Sequence, residues 1–300
     1  MKQTYVFDAE RGILVPRTRR IEAPRLRVCS GIAHHGLMMG GSAQTVAEAV
    51  AIYNGLVGWW SMDNNLATST IPDSHSNAYN AALVGGNTTG TYSSATAKYG
   101  RSMLMTNAGG GNAPRVPRSV SALDFSGAVS MTIGLWFRFG AYSSFSGGFA
   151  IPIMGRWGVY YLTNTRDSAS PTWQFGVRNS ANSASGSVTA AASTTPTNVW
   201  YFLIGVHDTT NSQLRLYVNN VKTTTSSYTG GVWAGSTQNF GWFQQVTSDT
   251  TITDTSRAQD NTLYEEAFCC NVALTDAQVN YLYNGAAGRS YAAVKADAGH

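Results

Sequence analysis

The sequence predicts an all-β protein: a two-sheet antiparallel jelly-roll sandwich with an extended basic N-terminal arm and a short helix near each end. Three observations carry that prediction. Apolar residues make up 43% and charged residues only 12% of the 300-residue chain, enough to fill a large core. From Leu56 onward the apolar period is two: "SMTIGLWFRFG" sets Met131, Ile133, Leu135, Phe137 and Phe139 on one face, and "QLRLYVNNVK" does the same for Leu214, Leu216 and Val218. Gly, Ser, Thr and Asn fill the spaces between these runs, as turns between many short strands require.

In chain order, residues 1–41 form the arm. Residues 1–27 carry seven basic side chains (Lys2, Arg11, Arg17, Arg19, Arg20, Arg25, Arg27) against Asp8, Glu10 and Glu22, which equals the +4 of the whole chain. Two prolines and the lack of a helical period predict an arm without a core of its own, lying extended on something else. Arginine pairs with carboxylates and phosphates alike, but no aromatic platform accompanies these residues, so a protein surface is favoured over nucleic acid. Residues 42–55, "SAQTVAEAVAIYNG", read as a helical joint with Ser42 as N-cap and Gly55 as stop. "VWYFLIGVHD" is apolar on both faces, as a strand covered on both sides would be. Asn219–Asn220 marks a hairpin turn. "LTDAQVNYLYNG" closes the body with a second helix, leaving 292–300 as a tail.

Cys29 lies far from Cys269 and Cys270, and neighbours on a strand point to opposite sides, so the cysteines are expected to be reduced and structural. His34 and His35 lack the partners of a metal site. No apolar stretch reaches the ~18 residues of a membrane helix, and Asp8 and Glu10 stand where a secretory signal would be apolar.

The blocks "LVGWWSMDNN", "PDSHSNAYNAALVGG", "KYGRSMLM", "MTIGLWFRF", "VWYFLIGVHD", "LRLYVNNV" and "EEAFCCNVALTDAQVNYLYNG" follow one another in an order that resembles the laminin-G-like, concanavalin-A-like lectin jelly rolls. The resemblance spans residues 56–291. The last block is similar to the family's closing strand and helix at Glu265, Glu266, Asn271, Ala273, Leu274 and Thr275, while Cys269–Cys270 and Asn220 depart from the usual residues. The arm has no counterpart in that domain.

The resemblance makes calcium and glycans the candidate ligands. In similar jelly rolls an early Asp/Asn loop meets a carboxylate of the closing strand, which nominates Asp73 and Asn77 with Glu265 or Glu266 as Ca2+ ligands; "DNNLATSTIPDSHSN" is rich in the oxygen donors a hard cation prefers. Glycan binding calls for an aromatic platform, and Trp157, Trp173, Trp233 and Trp242 stand near Gly-rich or polar turns. Catalysis is not expected. A retaining glycosidase sets two carboxyl groups about 5–5.5 Å apart across one cleft, whereas Glu265 and Glu266 on an unbulged strand face opposite ways. The alternating Glu-x-Asp-x-x-Glu strand of the family's glucanases is absent, and Asp124, His207 and Asp208 lack catalytic partners in sequence.

A jelly roll of extracellular type without a signal segment or disulfides, with a basic arm, reads as a virion structural or decoration protein made in the host cytoplasm. Arg11, Arg17, Arg19, Arg20, Arg25 and Arg27 would anchor it to a capsid or tail protein as a homo-oligomer, leaving the jelly roll displayed on the virion surface to touch glycans. A free carbohydrate-binding module and a glycoside hydrolase are the alternatives.

Overall fold

The computed structural model describes residues 5–8, 13–16, 43–63, 69–85, 91–93, 96–105, 112–140, 151–165, 172–191, 198–235, 238–242 and 262–300. They fall into two compact units, 1–42 and 43–300. In the first, β1 (Tyr5–Asp8) and β2 (Ile13–Pro16) pair antiparallel, with Tyr5 opposite Pro16 and Asp8 opposite Ile13. The arm read as extended therefore holds a hairpin. Its six anchoring arginines, Cys29, His34 and His35 lie outside the described residues.

In the second unit, sheet I comprises β4 (Thr70–Ile71), β5 (Ala81–Gly85), β8 (Asn112–Val116), β10 (Ile151–Arg156), β11 (Tyr160–Asn164), β12 (Thr172–Arg178), β13 (Ser185–Ala191) and β17 (Phe240–Trp242). Its spatial order is β13-β12-β11-β10-β17-β8-β5-β4. Sheet II comprises β3 (Leu56–Trp60), β6 (Thr91–Ser93), β7 (Ser102–Met105), β9 (Met131–Arg138), β14 (Trp200–Asp208), β15 (Gln213–Val218), β16 (Val221–Ser226) and β18 (Thr262–Cys270). It runs β16-β15-β14-β9-β18-β7-β6, with β3 also paired to β18. All these pairings are antiparallel, the arrangement of a jelly-roll sandwich.

The period-two pattern sets the core. Met131, Ile133, Leu135, Phe137 and Phe139 enter the cluster between the sheets with Leu214 and Leu216, facing Tyr160, Leu162, Trp173 and Phe175 of sheet I. Contact is close enough that a Cβ on Gly205 would meet the Phe175 ring at 2.2 Å.

The apolar outer face of β14 has a separate explanation. Phe202, Ile204 and Val206 join Trp59, Trp136 and Phe268 in a second cluster on the far side of sheet II. This cluster is closed by α1 (Ala43–Gly55), α2 (Asp276–Tyr283) and α3 (Tyr291–Asp297), through Ala49, Ile52, Val279, Leu282, Tyr291 and Val294. Residues read as a joint (42–55) and a tail (292–300) thus contribute a helical layer to the body. Thr275 caps α2 in a reciprocal box: its hydroxyl accepts from Gln278 N, and Gln278 Oε1 accepts from Thr275 N. Asn219 and Asn220 both take positive φ in the two-residue turn between Val218 and Val221, the geometry Asn tolerates best after Gly.

Candidate functional site

Along β18, Tyr264 faces the inter-sheet core, and Ala267 and Cys269 do so again further on, while Phe268 and Cys270 face the helical layer. Between them the strand is bulged. Glu265 pairs with Trp136 and Phe268 with Gly134, so Glu266 and Ala267 together oppose Leu135, and Glu266 takes φ 49°. The extra residue carries Glu266 to the same side as Glu265. The expectation of opposite faces is corrected here, because that alternation holds only on a strand without a bulge.

Both glutamates are buried, at 0% and 1% exposure. Glu265 accepts from Lys98 N (2.8 Å to Oε1) and from Tyr99 N (3.2 Å), fastening the segment before β7. Glu266 accepts from Trp59 Nε1 and, at 3.1 Å, from Tyr291 N at the start of α3. Burial pushes Glu265 up to about 9 and Glu266 to about 8, outweighing donors that favour the ionised form. The pair ties a loop and a helix to the sheet.

Asp73 performs the same service for the 71–80 loop. Its Oδ1 accepts from Trp59 N (2.8 Å) and His75 N (2.9 Å), and its Oδ2 from Tyr79 N (3.0 Å). Asn77 turns its amide nitrogen to Val57 O at 2.8 Å. Both oxygens of Asp73, both of Glu265 and Glu266 Oε2 are thus met by N–H donors. Among the described residues no group of three or more His, Cys, Asp and Glu comes together to hold a metal. At Asp73 and Asn77 hydrogen bonds do the loop-pinning that the calcium reading of Asp73, Asn77, Glu265 and Glu266 gave to an ion.

His207 is fully buried against the edge of Tyr228, and burial lowers its pKa. Asp124 is ion-paired with Arg118 and Arg156.

The four tryptophans separate cleanly. Trp173 (3% exposed) and Trp242 (0%) belong to the inter-sheet core, which corrects their assignment to a glycan surface; they alternate with Phe175 and Phe240, which point the same way. Trp233 is partly buried against that core. Trp157 is likewise half-buried but lies outside that core, in the turn joining β10 to β11, its ring 5.0 Å from that of Tyr161 at a 38° tilt.

Tyr160 and Leu162 point into the core, so Tyr161 must point out. Opposite it is Gly176, where a Cβ would come within 2.5 Å of the Tyr161 ring, so the ring lies across bare backbone. Gly155 pairs with Gly241 beside the rings and lines a shallow hollow with Pro152, Met154, Trp157 and Tyr161. The same outer face continues through the pair Thr163–Gln174 to Ser187 and Thr189, which are exposed. The result is an aromatic platform edged by hydroxyls and an amide, on the sheet opposite to the helical layer. Sequence reasoning missed Tyr161, although the run "YYLT" with Gly176 across from it carried the signal.

Comparison with curated proteins finds no match. The family model for the concanavalin A-like lectin/glucanases superfamily matches residues 109–280. Among solved structures, domain 4 of AbnA, an extracellular arabinanase from Geobacillus stearothermophilus, in complex with arabinotriose, is 17% identical; the match covers 78% of this chain and 98% of that one at a TM-score of 0.51. The binding domain of botulinum neurotoxin DC in complex with rat synaptotagmin II is 14% identical, covering 78% of this chain and 52% of that one, TM-score 0.53. The botulinum neurotoxin serotype D ligand-binding domain in complex with N-acetylneuraminic acid is 11% identical, covering 79% and 52%, TM-score 0.50. The chain spans about half the length of the toxin binding domains it matches. With more than half of its residues matched by the family model and two antiparallel sheets in the corresponding fold, the chain belongs to the concanavalin A-like lectin/glucanases superfamily.

Proposed function

We propose that this chain is a non-catalytic, glycan-binding jelly roll whose basic arm anchors it, as a homo-oligomer, to a capsid or tail protein on a virion surface. The observation that carries glycan binding is the Trp157–Tyr161 platform, set on glycine backbone and flanked by Gln174, Ser187 and Thr189. Aromatic rings take the apolar face of a sugar, and side-chain amides and hydroxyls take its rim. The non-catalytic reading rests on Glu265 and Glu266, buried and engaged by N–H donors on the helical side of sheet II. Arabinotriose and N-acetylneuraminic acid, bound by two of the similar structures, are reasonable first probes.

The test is calorimetric titration of the full chain with each sugar. Trp157→Ala and Tyr161→Ala are each expected to weaken binding about tenfold or more, a loss of about 1.4 kcal/mol, while leaving the thermal transition in place. Equal affinity in wild type and both variants would contradict the platform. The virion assignment is tested separately by locating the protein in purified particles by electron microscopy. A free carbohydrate-binding module is the second reading, favoured by coverage of nearly the whole arabinanase domain. Protein found only unassociated with particles supports it instead.

A further inference from the structure

A groove of about 710 Å3 opens on the outer side of sheet II, where the β14–β15 turn meets the link from β18 into α2. Its floor is an ion pair, Arg215 Nη2 to Asp208 Oδ2 at 2.9 Å, both residues more than nine-tenths buried. Arg215 alternates on β15 with Leu214 and Leu216, which face the core, so strand geometry directs it outward.

From that pair a chain of hydrogen bonds crosses the groove. Asn211 donates to Asp208 from both its backbone N (3.0 Å) and Nδ2 (2.9 Å). Arg215 Nη1 donates to the Tyr217 hydroxyl (3.1 Å), which donates to Asp276 Oδ1 (2.6 Å), and Lys222 Nζ donates to Asp276 Oδ2. Arg215 Nε is buried with no hydrogen-bond partner.

A buried ion pair adds little to stability over an apolar pair of the same volume, because desolvation offsets the attraction. A donor left without a partner costs more still. An exposed recess built on such a pair is thus better explained by a ligand than by folding. The charges lining it balance, Asp208 and Asp276 against Arg215 and Lys222. An anion would meet the two carboxylates and a cation the two bases. An uncharged polyol meets neither penalty, since each hydroxyl donates to a carboxylate and accepts from a guanidinium or ammonium.

We infer that this groove is a second saccharide subsite, taking an uncharged sugar unit edge-on through its hydroxyls and lying on the sheet opposite to the Trp157–Tyr161 platform. The choice of a sugar as the polyol rests on the lectin reading above. The test is chemical-shift mapping of the 15N-labelled full chain with the methyl glycosides of glucose, galactose, mannose and arabinose, and with N-acetylneuraminic acid. At least one uncharged glycoside is expected to shift the amides of Asn211, Gln213 and Ala277. That response should weaken about tenfold in Lys222→Ala and in Asn211→Ala, each of which removes a hydrogen bond to or from a charged group, and should be unchanged in Trp157→Ala. Lys222 is exposed, so its replacement leaves the core intact. No shift at the groove with any uncharged glycoside, or a preference there for N-acetylneuraminic acid, overturns the inference. Shifts confined to β10–β12 and lost in Trp157→Ala overturn it while sustaining the platform. Groove shifts that persist while β10–β12 stay silent sustain it and count against the platform.

Discussion

Above neutrality the jelly roll is expected to lose stability steadily up to about pH 9, and the Glu265→Gln, Glu266→Gln double variant to lose very little. Burial raises both carboxyls from the ordinary 4.5, Glu265 to about 9 and Glu266 to about 8. The folded state therefore binds protons that the unfolded chain has already released. Their contribution is fully present below the unfolded value and is lost as pH rises through the folded values. Each carboxyl adds a slope of at most about 1.4 kcal/mol per pH unit, so two of them acting between pH 6 and 8 remove up to about 5 kcal/mol. Asp73, also raised by burial, acts in the same direction. His75 opposes them: burial lowers its pKa, so it adds stability as pH rises toward 6.5. Denaturation measured from pH 7 to 9 avoids that opposition. Glutamine keeps a carbonyl acceptor for Lys98 N or for Trp59 Nε1, so the double variant retains its ties and loses its charge. Wild-type stability that is flat or rising from pH 7 to 9 would sink this account of the pair.

Asp73→Ala is expected to cost about 3 kcal/mol or more. It removes the acceptor of three backbone N–H groups, those of Trp59, His75 and Tyr79, and a hydrogen bond to a charged group contributes about 1.5–3 kcal/mol. The Trp59 N–H suffers most, because its bond to Asp73 is buried whereas those of His75 and Tyr79 are part-buried and open to replacement by water. Amide exchange should quicken across residues 71–80 before it does elsewhere. Since N–H donors occupy the Asp73 oxygens, EDTA and added Ca2+ should leave the melting temperature of wild type unchanged. A fall in EDTA reversed by Ca2+ would reinstate the metal.

The sandwich was legible because alternation is a strong code wherever one face is buried, and Met131 to Phe139 lie as that code requires. The same code, applied one step further, would have placed Trp173 and Trp242 inside with Phe175 and Phe240. Their nearness to polar turns obscured it. The bulge at Glu266 was not legible: a left-handed glutamate has no local sequence signature, and the register shift depends on Trp59, Tyr291 and Lys98, which are distant in sequence. The helical layer was half legible. The helix at 43–55 was expected, but its docking shows only once the apolar outer face of β14 is known to need a cover.

A crystal structure of the full chain soaked with arabinotriose tests the central claim most directly. One sugar ring is expected on Trp157 and Tyr161, with hydroxyls within hydrogen-bonding reach of Gln174, Ser187 or Thr189. Sugar found only on the helical side of sheet II, or an empty platform at saturating ligand, would contradict it.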